Sequence, residues 1–182
     1  MLNEKMTKQV KTEKQAQTPD PNIEHRLREA LVLNRVISAA LSSLKLKDIL
    51  QTICEELGVT FDTPQVAFAL MNASRTHLTV FAEYNSLDLP TTLGAVISVS
   101  STPVLQSILK NHSSLVVADA QNDPRLASLR EELIQRGTVS ILIVPVIVND
   151  RLIGTLILNA TQTRSFKEDE IDLVEQIAGE DE

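Results

Sequence analysis

The sequence predicts an α+β domain, a central antiparallel sheet of about six strands with flanking helices, and three observations predict it. Short apolar runs come in pairs separated by tight polar turns, which is the signature of hairpins. Helical periodicity is confined to segments before, between and after those runs, so strands and helices segregate rather than alternate. The chain has 182 residues, 43% of them apolar, enough for one core of ordinary size with appended segments.

Residues 1–22 alternate Lys, Gln, Thr and Glu and close on Thr18-Pro19-Asp20-Pro21; they bury too little to offset ordering entropy and read as a flexible tail. From Ile23 the pattern turns helical. Ile23, Leu27, Ala30, Asn34, Ile37, Leu41 and Leu44 alternate spacings of four and three, a heptad seam about three heptads long. Over residues 23–45 this predicts a signalling or dimerisation helix in which Leu27, Asn34, Ile37, Leu41 and Leu44 face a second copy, with Asn34 at an a position fixing register. Leu31, Val32 and Leu33 widen the apolar stripe, so packing of this helix on its own domain is the alternative.

A second helix is expected from Asp48, as its cap, to Gly58, with Cys54 inside its apolar stripe. Strands follow over residues 66–71 and 78–84 around the turn Asn72-Ala73-Ser74-Arg75, and over 95–99. Thr102-Pro103 supplies an N-cap and an N1 proline for a helix through Lys110. A short strand over 115–118 leads into the loop Asp119–Arg125, in which Asp123-Pro124 starts a helical turn. A charged helix from Ala127 to Arg136 and a Gly137 cap come next. Strands over 140–148 and 152–159 flank Asn149-Asp150, a two-residue hairpin signal, and Ser165 with Glu168 forms a capping box for a last helix through Ala178. Pro145, inside a strand, is expected at an edge or a bulge.

Composition narrows the function. A net charge of −7 with one tyrosine and three histidines argues against nucleic acid, which needs a basic face or stacking aromatics. The longest apolar run, near Ile141 to Val148, is too short to cross a bilayer, so no membrane is expected. A single cysteine permits no internal disulfide or thiolate metal cluster and suits a cytoplasmic location; Cys54 itself reads as a small buried hydrophobe. No phosphate loop, nucleophile elbow or metal-spaced His/Cys set is present, so the chain is read as not an enzyme, without metal or cofactor. His25, His77 and His112 are scattered and read as solvated, with His112 near a helix C-terminus.

From Leu46 onward the chain resembles the GAF family. The ordered series is Asp119, Asp123-Pro124-Arg125, Gly137-Thr138-Val139-Ser140, Val144-Pro145-Val146, Leu152-Ile153-Gly154-Thr155-Leu156-Ile157 and Phe166 with acidic residues. The resemblance implies a PAS-like fold over residues 46–179: a six-stranded antiparallel sheet, helices on the dimer side and a ligand cavity on the opposite face. Aligned on Val144-Pro145, Ser128 and Leu129 stand where a bilin-binding relative would carry Cys-His, and Val139 where it would carry a propionate-binding arginine, which argues against a covalent bilin. Asn159-Ala160, Phe166 and Asp169-Glu170 match a cyclic-nucleotide signature only in part, lacking its lysine. One cysteine cannot serve the methionine-sulfoxide-reducing branch.

The resemblance implies a regulatory module that binds a small molecule and passes a change to an effector through its terminal helices; the alternative is a ligand-free dimerisation scaffold. Candidate ligand-binding residues are Asp119 and Arg125 in the loop, with bracing of that loop as their other reading. Ser140 is a candidate hydroxyl, and Phe68, Val99, Leu105, Leu133 and Leu142 are candidate apolar walls. Expected partners are a second copy and an effector. In the family the last helix, here ending Gly179-Glu180-Asp181-Glu182, runs on into a kinase, cyclase or phosphodiesterase, so the chain reads as an excised fragment or a stand-alone protein.

Overall fold

The computed structural model describes residue 42 and residues 44–179. The tail and all of the seam except Leu44 therefore lie outside the described residues, including Leu27, Asn34, Ile37 and Leu41. The expected break between two helices is absent: residues 44–60 form one helix, α1, and Asp48 lies inside it, where its carbonyl accepts the Thr52 hydroxyl at 2.9 Å. The helix also runs past Gly58. It ends where Asp62 adopts φ 49°, the Asp62 N–H bonds Val59 O at 3.3 Å and the Thr63 N–H bonds Gly58 O at 2.9 Å, the reciprocal pair that satisfies orphan carbonyls at a left-handed cap. Gly58 has a different purpose: a Cβ there would lie 2.1 Å from the Tyr84 ring, so its bare backbone lets α1 sit close to the sheet.

Six strands follow the sequence reading closely: β1 (Gln65–Met71), β2 (His77–Asn85), β3 (Val96–Ser98), β4 (Leu115–Val117), β5 (Ser140–Val148) and β6 (Arg151–Ala160). They form one sheet in the order β3-β2-β1-β6-β5-β4, every neighbour antiparallel. In the first turn the Asn72 side chain accepts the N–H groups of Thr76 and His77. In the β5–β6 turn Asn149 and Asp150 take φ 50° and 58°, as a two-residue hairpin demands. Pro145 meets its expectation: β4 pairs β5 only from Ile141 to Ile143, so Pro145 has a strand neighbour on one side, and a register shift follows at Val146/Ile147.

The helices α2 (Pro103–Asn111), α3 (Arg130–Gln135) and α4 (Glu168–Ala178), with a 3-10 segment Pro124–Leu129, sort onto opposite faces. Leu50, Cys54 and Leu57 of α1 and Val174 and Ala178 of α4 pack on Phe68, Leu142, Val144, Leu156 and Leu158 of the sheet. Leu105 and Ile108 of α2, Leu126 and Leu133 pack on Ala69, Val80, Ile141 and Ile143 on the other side. Each large side chain removed from water here contributes roughly 1.5–3 kcal/mol before entropy is counted.

Three local expectations are corrected. Thr102 holds the N-cap of α2, but its side chain makes no capping bond. The charged helix 127–136 is split, because the Asp123 carboxylate accepts the Arg125 N–H and opens a 3-10 turn first. The final helix starts at Glu168 rather than after Ser165: the Glu170 carboxylate accepts the Lys167 N–H at 2.9 Å, two residues later than the box expected at Ser165 and Glu168.

Cys54 is fully buried, and desolvation, with Glu55 and Glu83 adding to it, pushes its thiol up to about 12. The unfolded thiol ionises near 9.0. Because the folded value is the higher, this group's contribution to stability is complete below that pH and is lost as pH rises from there toward about 12. A thiol reagent at pH 8 is expected to leave Cys54 unmodified in the native protein and to titrate it fully in denaturant; rapid native labelling would contradict its placement.

Candidate functional site

Between the sheet and the cap formed by α2, the 3-10 segment and α3 lies a cavity of about 100 Å³. Register explains which residues face it. On β1, Gln65 and Ala67 point there, while Val66 and Phe68 join the core under α1 and α4. On β2 the alternation is interrupted: Phe68 pairs with Ala82 but Ala69 pairs with Val80, leaving Phe81 as the extra residue of a bulge. Val80 therefore faces the cavity, and so does Glu83, three residues on. Without the bulge Glu83 would point the other way.

The cavity has an apolar body and one polar end. Val80, Ile97, Leu105, Leu133, Ile143 and Ile157 line the body; Gln65, Glu83, Thr92, Arg136, Thr138 and Asn159 form the end. The side chain of Glu83 is 5% exposed and that of Arg136 15%. Glu83 accepts four bonds: from the Thr91 hydroxyl at 2.6 Å, the Thr92 N–H at 2.9 Å, the Thr92 hydroxyl at 2.9 Å and Arg136 Nη2 at 3.3 Å. Arg136, at the C-cap of α3, also donates Nε to Gln65 Oε1 at 3.0 Å and Nη1 to Pro90 O at 3.0 Å. Gln65 Nε2 in turn donates to Arg136 O at 3.2 Å. These bonds latch the end of α3 to β1, β2 and the loop after β2.

Gly137, at φ 64°, turns the chain after α3, and the Thr138 N–H bonds Leu133 O at 2.8 Å. This puts Thr138 into the cavity wall. Its side-chain oxygen is buried without a hydrogen-bond partner, and so is Asn159 Oδ1. Orphan polar atoms of this kind are costly unless something else satisfies them.

The same residue connects to α1 through its backbone. β3 pairs β2 only from His77 to Thr79, so the outer edge of β2 is open at Glu83. Gln51 of α1 fills it, donating Nε2 to Glu83 O at 2.9 Å and accepting the Glu83 N–H at 3.3 Å.

Of the residues read from the sequence as a ligand site, Leu105 and Leu133 line this cavity. Phe68 and Leu142 belong to the core on the opposite face. Ser140 is fully buried, and its hydroxyl donates toward Ala118 O and Gln162 O and accepts the Arg164 N–H, bracing the ends of β4 and β6. Val99 follows β3 and lines a separate shallow depression with Gln106 and Leu109. Asp119 is exposed and accepts both its bonds from Asn122. Arg125 pairs with Asp123 at 2.6 Å, a contact that holds the Asp123 carboxyl below its ordinary value; it lies outside the cavity. The loop is braced rather than aimed inward. Leu44, the one described seam residue, is 60% exposed.

Arg164 joins the two helices of the other face. It donates to Phe61 O at the end of α1, bonds Thr63 Oγ1 at 3.2 Å and pairs with Glu170 of α4 at 2.5 Å, with its guanidinium 4.9 Å from the Phe166 ring centre. Among the described residues no group of three or more His, Cys, Asp or Glu is placed to hold a metal ion, and no helix is long and apolar enough to cross a membrane.

Residues 45–180 match the family model described as GAF domain. No curated protein matches the chain. Among solved structures, the chain resembles the blue-light absorbing form of the Thermosynechococcus elongatus PixJ GAF-domain at 21% identity and a TM-score of 0.66, over 76% of this chain and 83% of that one. It resembles the GAF domain of a Coxiella burnetii phosphoenolpyruvate-protein phosphotransferase at 17% and 0.63, over 73% and 77%. It also resembles the GAF domain/HD domain protein of Geobacter sulfurreducens at 18% and 0.64, over 75% and 89%. At these identities the likeness is one of fold.

Proposed function

The chain belongs to the GAF domain family, and from that premise we propose that it is a non-enzymatic regulatory module that admits a small molecule between the sheet and the α2–α3 cap. The observation that carries this reading is the position of Glu83. It closes the polar end of the cavity, pairs with Arg136 of the cap and is held through its backbone by Gln51 of α1. A ligand that moves the cap strains the Arg136–Glu83 contact, and Gln51 passes that displacement to α1; Arg164 ties the far end of α1 to α4. Output then runs to an effector through these terminal helices.

We also assign residues 1–22 as a tail, 23–45 as a dimer helix and 46–179 as the sensory domain of a cytoplasmic protein. A second copy of the chain is the partner that the helical face suits. Leu44, Leu46, Ile49 and Val59 of α1 and Leu173 and Ile177 of α4 are exposed apolar side chains on the two helices that cover one sheet face, an unusual concentration for a free surface. The same feature supports the second reading, a dimerisation scaffold that needs no ligand.

Thermal shift with metabolite fractions separates the two. Ala67 sits in the cavity floor, so Ala67→Leu fills part of the space. Some fraction is expected to raise the melting temperature of the wild type and leave the filled variant unmoved, whereas a wild type indifferent to every fraction would favour the scaffold. Replacing Ile49 with Glu is expected to weaken self-association without unfolding the domain, measured by sedimentation equilibrium; an unchanged dimer would remove this face from the interface.

A further inference from the structure

Resting on the reading of the cavity as a ligand site, we infer that its ligand is a compact uncharged molecule with a branched aliphatic body and a hydrogen-bond donor, of the class of a short-chain primary amide. Size sets the first limit. About 100 Å³ is well below the roughly 300–1,000 Å³ of sites for drug-sized ligands, and nearer the roughly 150 Å³ that accepts benzene. A nucleotide or a tetrapyrrole does not fit.

Charge sets the second. A carboxylate offers about four acceptor sites, and all four of those on Glu83 are taken by Thr91, Thr92 and Arg136, so an incoming ammonium finds no free lone pair on Glu83, and the other carboxylate of the lining, Glu132, is exposed and screened by solvent. The Arg136 charge is offset by Glu83 at 3.3 Å, and Glu132 adds a carboxylate to the lining, so an anion gains no net attraction. An ion would lose its hydration and receive little in return.

What remains unmet is neutral. Thr138 and Asn159 both line the cavity; Thr138 is 1% exposed, and its hydroxyl and the Oδ1 of Asn159 are buried without a hydrogen-bond partner. Asn159 Oδ1 requires a donor, and the Thr138 hydroxyl can donate to a carbonyl. A primary amide supplies both. Because the lining contains no aromatic ring, a flat heterocycle would have nothing to stack on, whereas the branched walls at Leu105, Leu133, Ile143 and Ile157 suit an isobutyl or isopropyl group.

The test uses the full chain and three probes of one shape: isovaleramide, isovalerate and isoamylamine. Isotope-edited NMR of the methyl groups, with titration, is expected to show saturable shifts at Leu105, Leu133 and Ile157 with isovaleramide, at a dissociation constant of about a millimolar or tighter, as a ligand of this size allows. Thr138→Val, which keeps the shape, is expected to weaken that binding about tenfold, and Asn159→Leu to do likewise. If Thr138→Val fails to fold, Asn159→Leu alone decides. Saturable binding of isovalerate or isoamylamine in place of the amide would overturn the ligand class while leaving a ligand site at the cavity. No shift with any of the three would overturn the class outright, and mass spectrometry of the protein from its source then judges the ligand reading separately.

Discussion

Replacing Gly154 with valine is expected to unfold the domain or to cost it more than about 3 kcal/mol, against a total of about 5–15 kcal/mol for domains of this kind. Gly154 lies opposite Leu70 where β6 pairs with β1, at the middle of the six-stranded sheet. A Cβ built on it falls 2.1 Å from the carbonyl oxygen of Ala69 and 3.1 Å from that carbonyl carbon. These are backbone atoms, so no rotamer change relieves the clash, and the strands must separate. The pairing lost is the one that joins the β3-β2-β1 half of the sheet to the β6-β5-β4 half. Chemical denaturation measures the effect, and a variant within about 1 kcal/mol of wild type would mean that β1 and β6 do not approach as described.

Glu83→Leu is the second large effect, and much of it is recovered in the double variant. The single change leaves the Arg136 guanidinium, 15% exposed, without its counter-charge, and leaves the donors of Thr91 and Thr92 without their acceptor. Breaking one partner out of a buried pair costs about 3–5 kcal/mol. Removing both, as Glu83→Leu with Arg136→Leu, is expected to recover much of that loss, because an apolar pair of similar volume carries no uncompensated charge. Hydrogen exchange in α3 should rise in the single variant, since the latch to β2 is gone while the Gln65 bonds remain. Additive losses in the double variant would show that the two side chains do not act on one another.

Much of the fold was legible in the sequence because local chemistry dictates it. Asn149-Asp150 can adopt a turn that few pairs can, and Thr102-Pro103 marks a helix start whatever surrounds it. The candidate site was less legible, for a physical reason that recurs on each strand. Both faces of this sheet are covered by helices, so β5 is apolar on every residue from Ile141 to Val148, and no polar face reveals which residues point where. The sequence pattern puts Phe68, Leu142 and Ser140 among the candidate ligand contacts, at a parity that the register gives to the other face. Glu83 was missed because a bulge at Phe81 reverses the alternation just before it; the sole sequence sign is a phenylalanine at the parity of Thr79 and Glu83. Arg136 and Gln65 are 71 residues apart, a separation that no short-range pattern reports. Leu105 and Leu133 reach the cavity wall because apolar positions on short capping helices have only one core to face.

Native mass spectrometry of the full chain purified from its source, compared with the Ala67→Leu variant prepared in the same way, tests the ligand-binding claim most directly. The account predicts a small, non-covalent, uncharged adduct on the wild type that is released on denaturation and is missing from the variant. A wild type that carries only its own mass, with the variant equally bare and equally dimeric, would contradict it and leave a protein whose cavity holds water and whose function is assembly.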